Sequence, residues 1–272
     1  MNSHAADEAF IGALPEAYDR FLVPLIFAPY AAELAARLAQ RPPERILEIA
    51  AGTGAVTRAM AAALPATSSI VATDLNQPML DRAAGRGTSR PVTWRRADAM
   101  NLPFADETFD AVVCQFGAMF FPEKSRAFAE ARRVLTPGGV FLFSVWDRIE
   151  TNELADVVTN AVAALFPADP PRFLARIPHG YHDPATVARD LAAGGFTAAP
   201  SIATIAARSR AASADDPAIG YCQGTPLRNE IDARDAAGLA AATTAAAEAV
   251  VRQFGRGPID AHIQAHVVSV AR

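Results

Sequence analysis

The sequence predicts an α/β fold: a mostly parallel sheet with helices on both faces, carrying a mainly helical cap. Three observations predict it. Strand and helix signals alternate regularly over residues 46–146, the rhythm of parallel strands joined by crossover helices. The strand expected at 109–115 is continuously apolar, as a strand covered on both faces must be. A mainly helical stretch, roughly 212–257, separates two late strands that a much shorter turn could join, so it reads as a cap.

The elements follow in order. A strand at 45–49 runs into Ala50-Ala51-Gly52-Thr53-Gly54, and a helix over 55–64 stops at Pro65. The second strand is 69–73. Asn76 is placed to cap the next helix, with Pro78 in its first turn and Gly85 and Gly87 ending it. Strands at 92–96 and 109–115 follow, then a helix at 125–135. Pro137-Gly138-Gly139 turns the chain into a fifth strand at 140–146.

Beyond Asp147 the apolar positions Leu154, Val157, Val158, Ala161, Val162 and Leu165 mark a helix that ends before Pro167. Asp183-Pro184 is a cap and first-turn pair for a helix closing at Gly194-Gly195. Strands are expected at 196–208 and 263–271. The domain organisation expected is an N-terminal helical cover (1–40), a core (41–150), helices and a strand completing the sheet (151–211), the cap insertion (212–258) and a final core strand (259–272).

Composition excludes several classes. The chain has 272 residues, 51% of them apolar, a net charge of −4 and a pI near 5.8. Nucleic acid is therefore not the expected partner, because phosphate contacts need clustered Lys and Arg, and pairs such as Arg95-Arg96 and Arg132-Arg133 are scattered. Cys114 and Cys222 make neither a disulfide framework nor a zinc pattern, so no metal is expected. Asp7 and Glu8 precede any apolar run, unlike a signal peptide, and the apolar run 21–32 is short and interrupted by Pro24 and Pro29. The expectation is a cytoplasmic protein without membrane insertion; its oligomeric state is not legible.

The chemistry gathers at three strand ends. Glycines in the loop 50–54 let backbone N–H groups approach a ligand, and the helix behind adds unpaired amides and its positive dipole end. Glu48, Asp74 and Asp98 end three successive strands, where an open parallel sheet binds ligands. Asp74 is placed for two ribose hydroxyls and Asp98 for an exocyclic amino group. Glu48 can fix the loop or accept from an ammonium. A nicotinamide fingerprint fits badly: Gly-x-Gly-x-x-Gly/Ala read from Gly52 puts Thr57 at the third small position.

Five motifs carry a resemblance: Leu47-Glu48-Ile49-Ala50-Ala51-Gly52-Thr53-Gly54, Ala72-Thr73-Asp74-Leu75-Asn76-Gln77-Pro78-Met79-Leu80, Ala97-Asp98-Ala99-Met100-Asn101-Leu102-Pro103-Phe104, Phe109-Asp110-Ala111-Val112-Val113-Cys114-Gln115-Phe116 and Arg133-Val134-Leu135-Thr136-Pro137-Gly138-Gly139. Over about residues 45–147 the chain resembles class I S-adenosylmethionine-dependent methyltransferases, in the small-molecule branch that includes ubiquinone and menaquinone biosynthesis enzymes. One departure stands out: Ala50 replaces the family's first loop glycine. Alanine is read as a mild change. The resemblance implies a Rossmann-like seven-stranded sheet with the last strand antiparallel, and S-adenosylmethionine as cofactor. It implies that Ala50, Ala51, Gly52, Thr53 and Gly54 face the methionine portion, with Glu48 beneath. Asp74 would hold the ribose, Leu75 and Met79 flank the adenine, and Asp98, Ala99 and Met100 meet the adenine edge. Gln115 and Phe116 would lie beside ribose and methionine. Tyr18 resembles an aromatic that closes over the cofactor, and a core tyrosine remains the alternative.

A sulfonium methyl is already activated, so proximity and orientation supply most of the acceleration and no catalytic residue is obligatory. His179, Tyr181 and His182, clustered in a loop, are the catalytic candidates. His262 and His266 share a face of the final strand and are read as packing beneath a helix, and Tyr221 or Cys222 could line a pocket. The sequence lacks the Asp/Asn-Pro-Pro-aromatic signature of nucleobase amino methylation after strand four, and carries no carboxylate cluster near the fifth strand for magnesium. Apolar residues of the covers, among them Phe21, Leu25, Phe27, Leu165, Phe166, Phe173 and Leu174, point to a small, fairly apolar acceptor. A cofactor-binding protein without transferase activity, a sensor or scaffold, is the alternative.

Overall fold

The structure, a computed structural model, describes Gly12 and residues 14–272. The readings made on Asp7 and Glu8 lie outside the described residues. Among these, seven strands form one sheet in the order β3-β2-β1-β4-β5-β7-β6. They are β1 (Arg45–Glu48), β2 (Ser69–Asp74), β3 (Thr93–Arg96), β4 (Phe109–Gln115), β5 (Leu135–Trp146), β6 (Ser201–Ala211) and β7 (Ile259–Ala271). Strands β1 to β5 pair in parallel. The last strand runs antiparallel: Arg272 N–H donates to Gly139 O at 2.9 Å, and Asp147 N–H to Gln264 O at 3.2 Å, so β7 ends where β5 begins. The order reverses between β1 and β4, which makes the loops after these strands the place where a crevice opens.

The described residues fall into two compact units. The larger one holds residues 28–145, 181–205 and 265–272. Helices α2 (Ala28–Gln40) and α3 (Ala55–Ala63) cover one sheet face through Leu34, Leu38, Val56 and Met60, which pack on Ile46, Ile70, Val113 and Leu142. Helices α5 (Lys124–Val134) and α8 (Pro184–Ala193) cover the other. There Phe141 and Phe143, two residues apart on β5 and hence on one face, stack at 4.7 Å, with Phe128 and Phe196 against them. Helix α4 (Gln77–Arg86) crosses between β2 and β3.

The other unit holds the chain up to Phe27 and residues 146–180 and 206–264. Its helices are α1 (Leu14–Ala17), α6 (Glu153–Leu165), α7 (Phe173–Arg176), α9 (Asp215–Gln223), α10 (Leu227–Arg234) and α11 (Leu239–Phe254). Helix α11 packs on α6 and α9, and α9 packs on a π-helical stretch, Tyr18–Phe27. That contact is backbone-close: a Cβ on Gly224 would stand 3.0 Å from Tyr18 N, and one on Gly220 3.0 Å from a Leu22 methyl.

Several expectations need correction. Pro24 and Pro29 do not interrupt the N-terminal apolar run, which is helical throughout Leu14–Gln40, 27 residues. Pro24 sits within the π-helical stretch, and Pro29 at the second position of α2, directly after it. By length and composition alone this run could cross a bilayer, yet half of its most apolar window is buried in the fold. Asn76 is the N-cap of α4 but its side chain makes no cap bond, and Gly85 lies inside the helix, which ends at Gly87 with φ 71°. Pro137-Gly138-Gly139 does not precede β5 but bulges within it: Phe109 pairs with Leu135 and Ala111 with Val140. Strand β6 begins at Ser201, after Pro200, rather than at Phe196, which is buried in the aromatic cluster. Asp183 caps as expected, its carboxylate accepting from Ala185 N at 3.2 Å and Thr186 N at 3.0 Å.

Candidate cofactor site

The larger unit brings the motif residues together at the carboxyl ends of β1, β2 and β4. The loop after β1 turns through three left-handed residues: Ala50 (φ 53°), Gly52 (φ 57°) and Gly54 (φ 81°). Two of these need glycine on conformational grounds. Ala50 pays a steric cost there, roughly 1–2 kcal/mol for a residue with a Cβ, so it is a less mild change than its size suggests. Its backbone position is fixed from both sides: Ile49 N–H donates to Val113 O and Ala51 N–H to Thr73 O, each at 2.9 Å. Helix α3 starts directly behind Gly54, and Arg58 bonds back to Thr53 O at 2.7 Å.

Asp74 closes the loop from the β2 side. Its carboxylate is buried, with Oδ2 accepting from Gly52 N–H and Oδ1 from Asn76 N–H, both at 2.8 Å. Burial pushes its pKa up, while the Asn76 and Gly52 amides pull it back. Each oxygen has a second lone-pair direction beyond its backbone donor, which suits a pair of hydroxyls. Next to it Leu75 is 42% exposed, a large apolar side chain left in solvent, with its carbonyl held by Arg96 Nε at 2.9 Å. Met79 is buried in α4.

Glu48 points below the loop. It is 1% exposed, and its Oε2 accepts from the Thr57 hydroxyl at 2.5 Å. Burial raises its pKa to about 8, opposed by the Thr57 bond and the charge of Arg58, and reinforced by Asp74. Its side chain therefore braces strand against helix. Thr57, noted in the sequence only as a misfit to a nicotinamide loop, is the partner that sequence reading missed. The signal was a buried acid nine residues before a hydroxyl in the first turn of the following helix.

Asp98 lies in the turn after β3, where Oδ1 accepts from Met100 N–H at 2.8 Å; Ala99 is half-buried beside it. After β4, Gln115 is half-buried and Phe116 turns left-handed (φ 53°), its N–H bonded to Ser144 O at 3.1 Å and its ring edge-on to Tyr30 at 5.3 Å. Tyr18 belongs to the other unit, where its ring stacks on Phe27 at 4.8 Å.

Each catalytic candidate has its own surroundings. His179 is buried, with Nδ1 2.8 Å from Asp147 O and its ring 5.8 Å from Trp146. A carbonyl accepts, so Nδ1 carries the hydrogen and Nε2 is the basic nitrogen of the neutral ring. The Tyr181 hydroxyl donates to Asp190 at 3.0 Å, and burial pushes its pKa up, away from any role as a base. His182 is half-buried in the loop leading to α8. His262 Nδ1 is 2.9 Å from Thr151 O, and His266 Nδ1 is 3.0 Å from Thr204 Oγ1 on β6. Tyr221 and Cys222 are both buried in α9, the thiol pushed up to about 12 by burial. Among the described residues no three His, Cys, Asp or Glu side chains gather to hold a metal ion.

The residues present fit S-adenosylmethionine. Besides the Asp74 lone pairs and the exposed Leu75, the Thr53 hydroxyl is buried in the loop with no hydrogen-bond partner from the protein.

Comparison with known proteins agrees. Residues 47–143 match the family described as methyltransferase domain. The chain is similar to the ubiquinone/menaquinone biosynthesis C-methyltransferase UbiE of Ectopseudomonas mendocina, 33% identical over 169 residues, covering 57% of this chain and 66% of that protein. The corresponding Burkholderia mallei protein is 42% identical over 118 residues, covering 40% and 48%. The chain thus spans between about half and two thirds of the length of these curated relatives. The fold is shared with a putative methyltransferase of Bacillus halodurans (TM-score 0.54, 20% identity, 89% and 97% of the two chains). It is shared too with a possible histamine N-methyltransferase of Thermotoga maritima (TM-score 0.55, 16%, 98% and 98%). The [4+2]-cyclase SpnF has the same fold (TM-score 0.54, 19%, 90% and 81%). Residues 47–143 thus form a methyltransferase domain, and the chain around them is similar to class I S-adenosylmethionine-dependent methyltransferases.

Proposed function

We propose that this protein binds S-adenosylmethionine at the loop after β1 and methylates a small, fairly apolar molecule at O, N or C by in-line displacement. The observation that carries this reading is the Asp74 carboxylate, buried and tied by Gly52 and Asn76 amides with lone pairs left for a ribose diol. When bound, the cofactor supplies an activated methyl group on a sulfonium sulfur. The chain's own residues bind and orient it. Asp74 accepts from the ribose hydroxyls and Leu75 lies on the adenine. Asp98 and the Ala99–Met100 backbone read the adenine edge, and the amides of residues 50–54 meet the methionine portion. Gln115 and Phe116 border that portion. Residues outside 47–143, namely the N-terminal helices up to Gln40, 151–182 and 212–258, select the acceptor; all three lie outside the part of the chain that matches the methyltransferase domain. The protein works in the cytoplasm on a dissolved small molecule, without nucleic acid.

Calorimetric titration of S-adenosylhomocysteine into wild-type and Asp74→Ala protein, with NAD as control, tests this. Losing the charge-assisted pair of ribose bonds weakens binding by about 2–3 kcal/mol. Equal affinity in both proteins, or tight binding of NAD, sinks the reading.

A second reading, cofactor binding without methyl transfer, draws support from two observations. Tyr181 is engaged with Asp190, and the fold is shared by a protein named as a cyclase. Cofactor binding with no methylated product from any fraction of a cell extract would favour it.

A further inference from the structure

Of the chain's 25 basic residues, Lys124 alone is lysine. It stands at the first position of α5, where a cation opposes the positive end of the helix dipole. A local rule broken in this way calls for a compensating gain. The ammonium shows one: Nζ donates to Met119 O at 3.2 Å and Phe121 O at 3.0 Å, and lies 4.8 Å from the centre of the Tyr181 ring. Two oxygens and a ring face around one point suit a compact ammonium; a guanidinium donates in a plane and is broader. Tyr181 is itself fixed by its bond to Asp190 on α8.

The two carbonyls belong to the turn Ala118–Phe120 and the residue after it, the direct continuation of Gln115, Phe116 and Gly117. At its start this segment is held by the Phe116 N–H on Ser144 O and by the Phe116 ring on Tyr30. A left-handed phenylalanine persists only where the surroundings over-determine it. Lys124 provides the restraint at the far end.

We propose that Lys124 is a positioning residue for the cofactor: its ammonium, roofed by Tyr181, pins the segment 115–121 so that Gln115 and Phe116 stand preset beside the bound ligand. The proposal rests on the S-adenosylmethionine reading above. It assigns Tyr181 a task unrelated to proton transfer, that of covering the chain's one ammonium-bearing side chain.

The test is calorimetric titration of S-adenosylhomocysteine into wild type, Lys124→Met, Lys124→Arg and Tyr181→Leu, with thermal melting and amide hydrogen exchange on each. Lys124→Met keeps the stem and loses the charge. It should weaken binding about tenfold and speed exchange in 115–121 while the helices of the larger unit keep their protection. Lys124→Arg should fail to restore affinity, and Tyr181→Leu should lose about threefold. Affinity within twofold of wild type in a folded Lys124→Met protein overturns the proposal, and so does full rescue by arginine. If Lys124→Met does not fold, Tyr181→Leu decides: unchanged affinity and exchange overturn it. Absence of binding to wild type instead overturns the cofactor reading, and the proposal with it.

Discussion

Ala50 and Gly117 complement one another across the crevice between β1 and β4: a Cβ on Gly117 would lie 2.4 Å from the Ala50 methyl carbon. The alanine methyl fills the space that the missing side chain leaves. Both atoms sit directly on backbone, so neither can swing aside. Gly117→Ala should therefore destabilise the protein by about 2–3 kcal/mol, with the Cys114 sulfur, 2.8 Å from the new carbon, adding to the crowding. Ala50→Gly should change stability by less than about 1 kcal/mol, since relief of the left-handed strain is offset by a looser unfolded chain. In the double variant the larger contact disappears, and part of the Gly117→Ala loss returns. Urea unfolding of all four proteins gives the coupling directly; strictly additive effects would contradict the pairing.

Glu48 predicts how stability varies with pH. Burial lifts its pKa from 4.5 to about 8, so the folded protein holds this proton more tightly than the unfolded chain. That contribution is fully present below about 4.5 and is lost as pH rises through about 8. Across this window the wild type should lose up to about 1.4 kcal/mol per pH unit from this group. Glu48→Gln keeps the shape and still accepts from Thr57, but has nothing to titrate. Its stability should fall less steeply than that of the wild type between pH 5 and pH 8, by denaturant unfolding at each pH. Parallel profiles would show that Glu48 is charged in the fold.

Asn152 is a side chain acting as a strand partner. Its Oδ1 accepts from Gln264 N at 3.1 Å and its Nδ2 donates to Gln264 O at 3.2 Å, while the side chain is almost fully buried. Replacing it by leucine leaves the Gln264 N–H of β7 without a partner, while Gln264 O keeps the Asp147 N–H, at a cost of about 1–3 kcal/mol. A melting temperature within a degree of wild type would falsify this account.

The strand ends were legible in the sequence because each carries a local signal: apolar runs for β1 and β4, an acid closing β2, glycines in the loop behind β1. What stayed hidden was set by partners distant in sequence. Nothing near Thr57 says that its hydroxyl goes to Glu48 rather than to its own helix, and nothing near Ala50 says that residue 117 must be glycine. The bulge in β5 was misread for the same reason. Pro137-Gly138-Gly139 looks like a turn locally, and pairing of Phe109 with Leu135 makes it an interruption inside a longer strand. Pro24 misled by the opposite route, since a proline reads as a break unless the helix around it widens.

The close approach of Gly224 to Tyr18 has a consequence for synthesis. The helix on which the N-terminal segment rests is made about 200 residues later, and at about 5–20 residues per second that is a wait of roughly 10–40 s on the ribosome. Through that interval the apolar residues Leu22, Leu25 and Ile26, buried in the finished protein, have no α9 to cover them. The stretch Tyr18–Phe27 is thus among the last to find its place, and a nascent chain stalled before residue 220 would present it to chaperones or to its own kind.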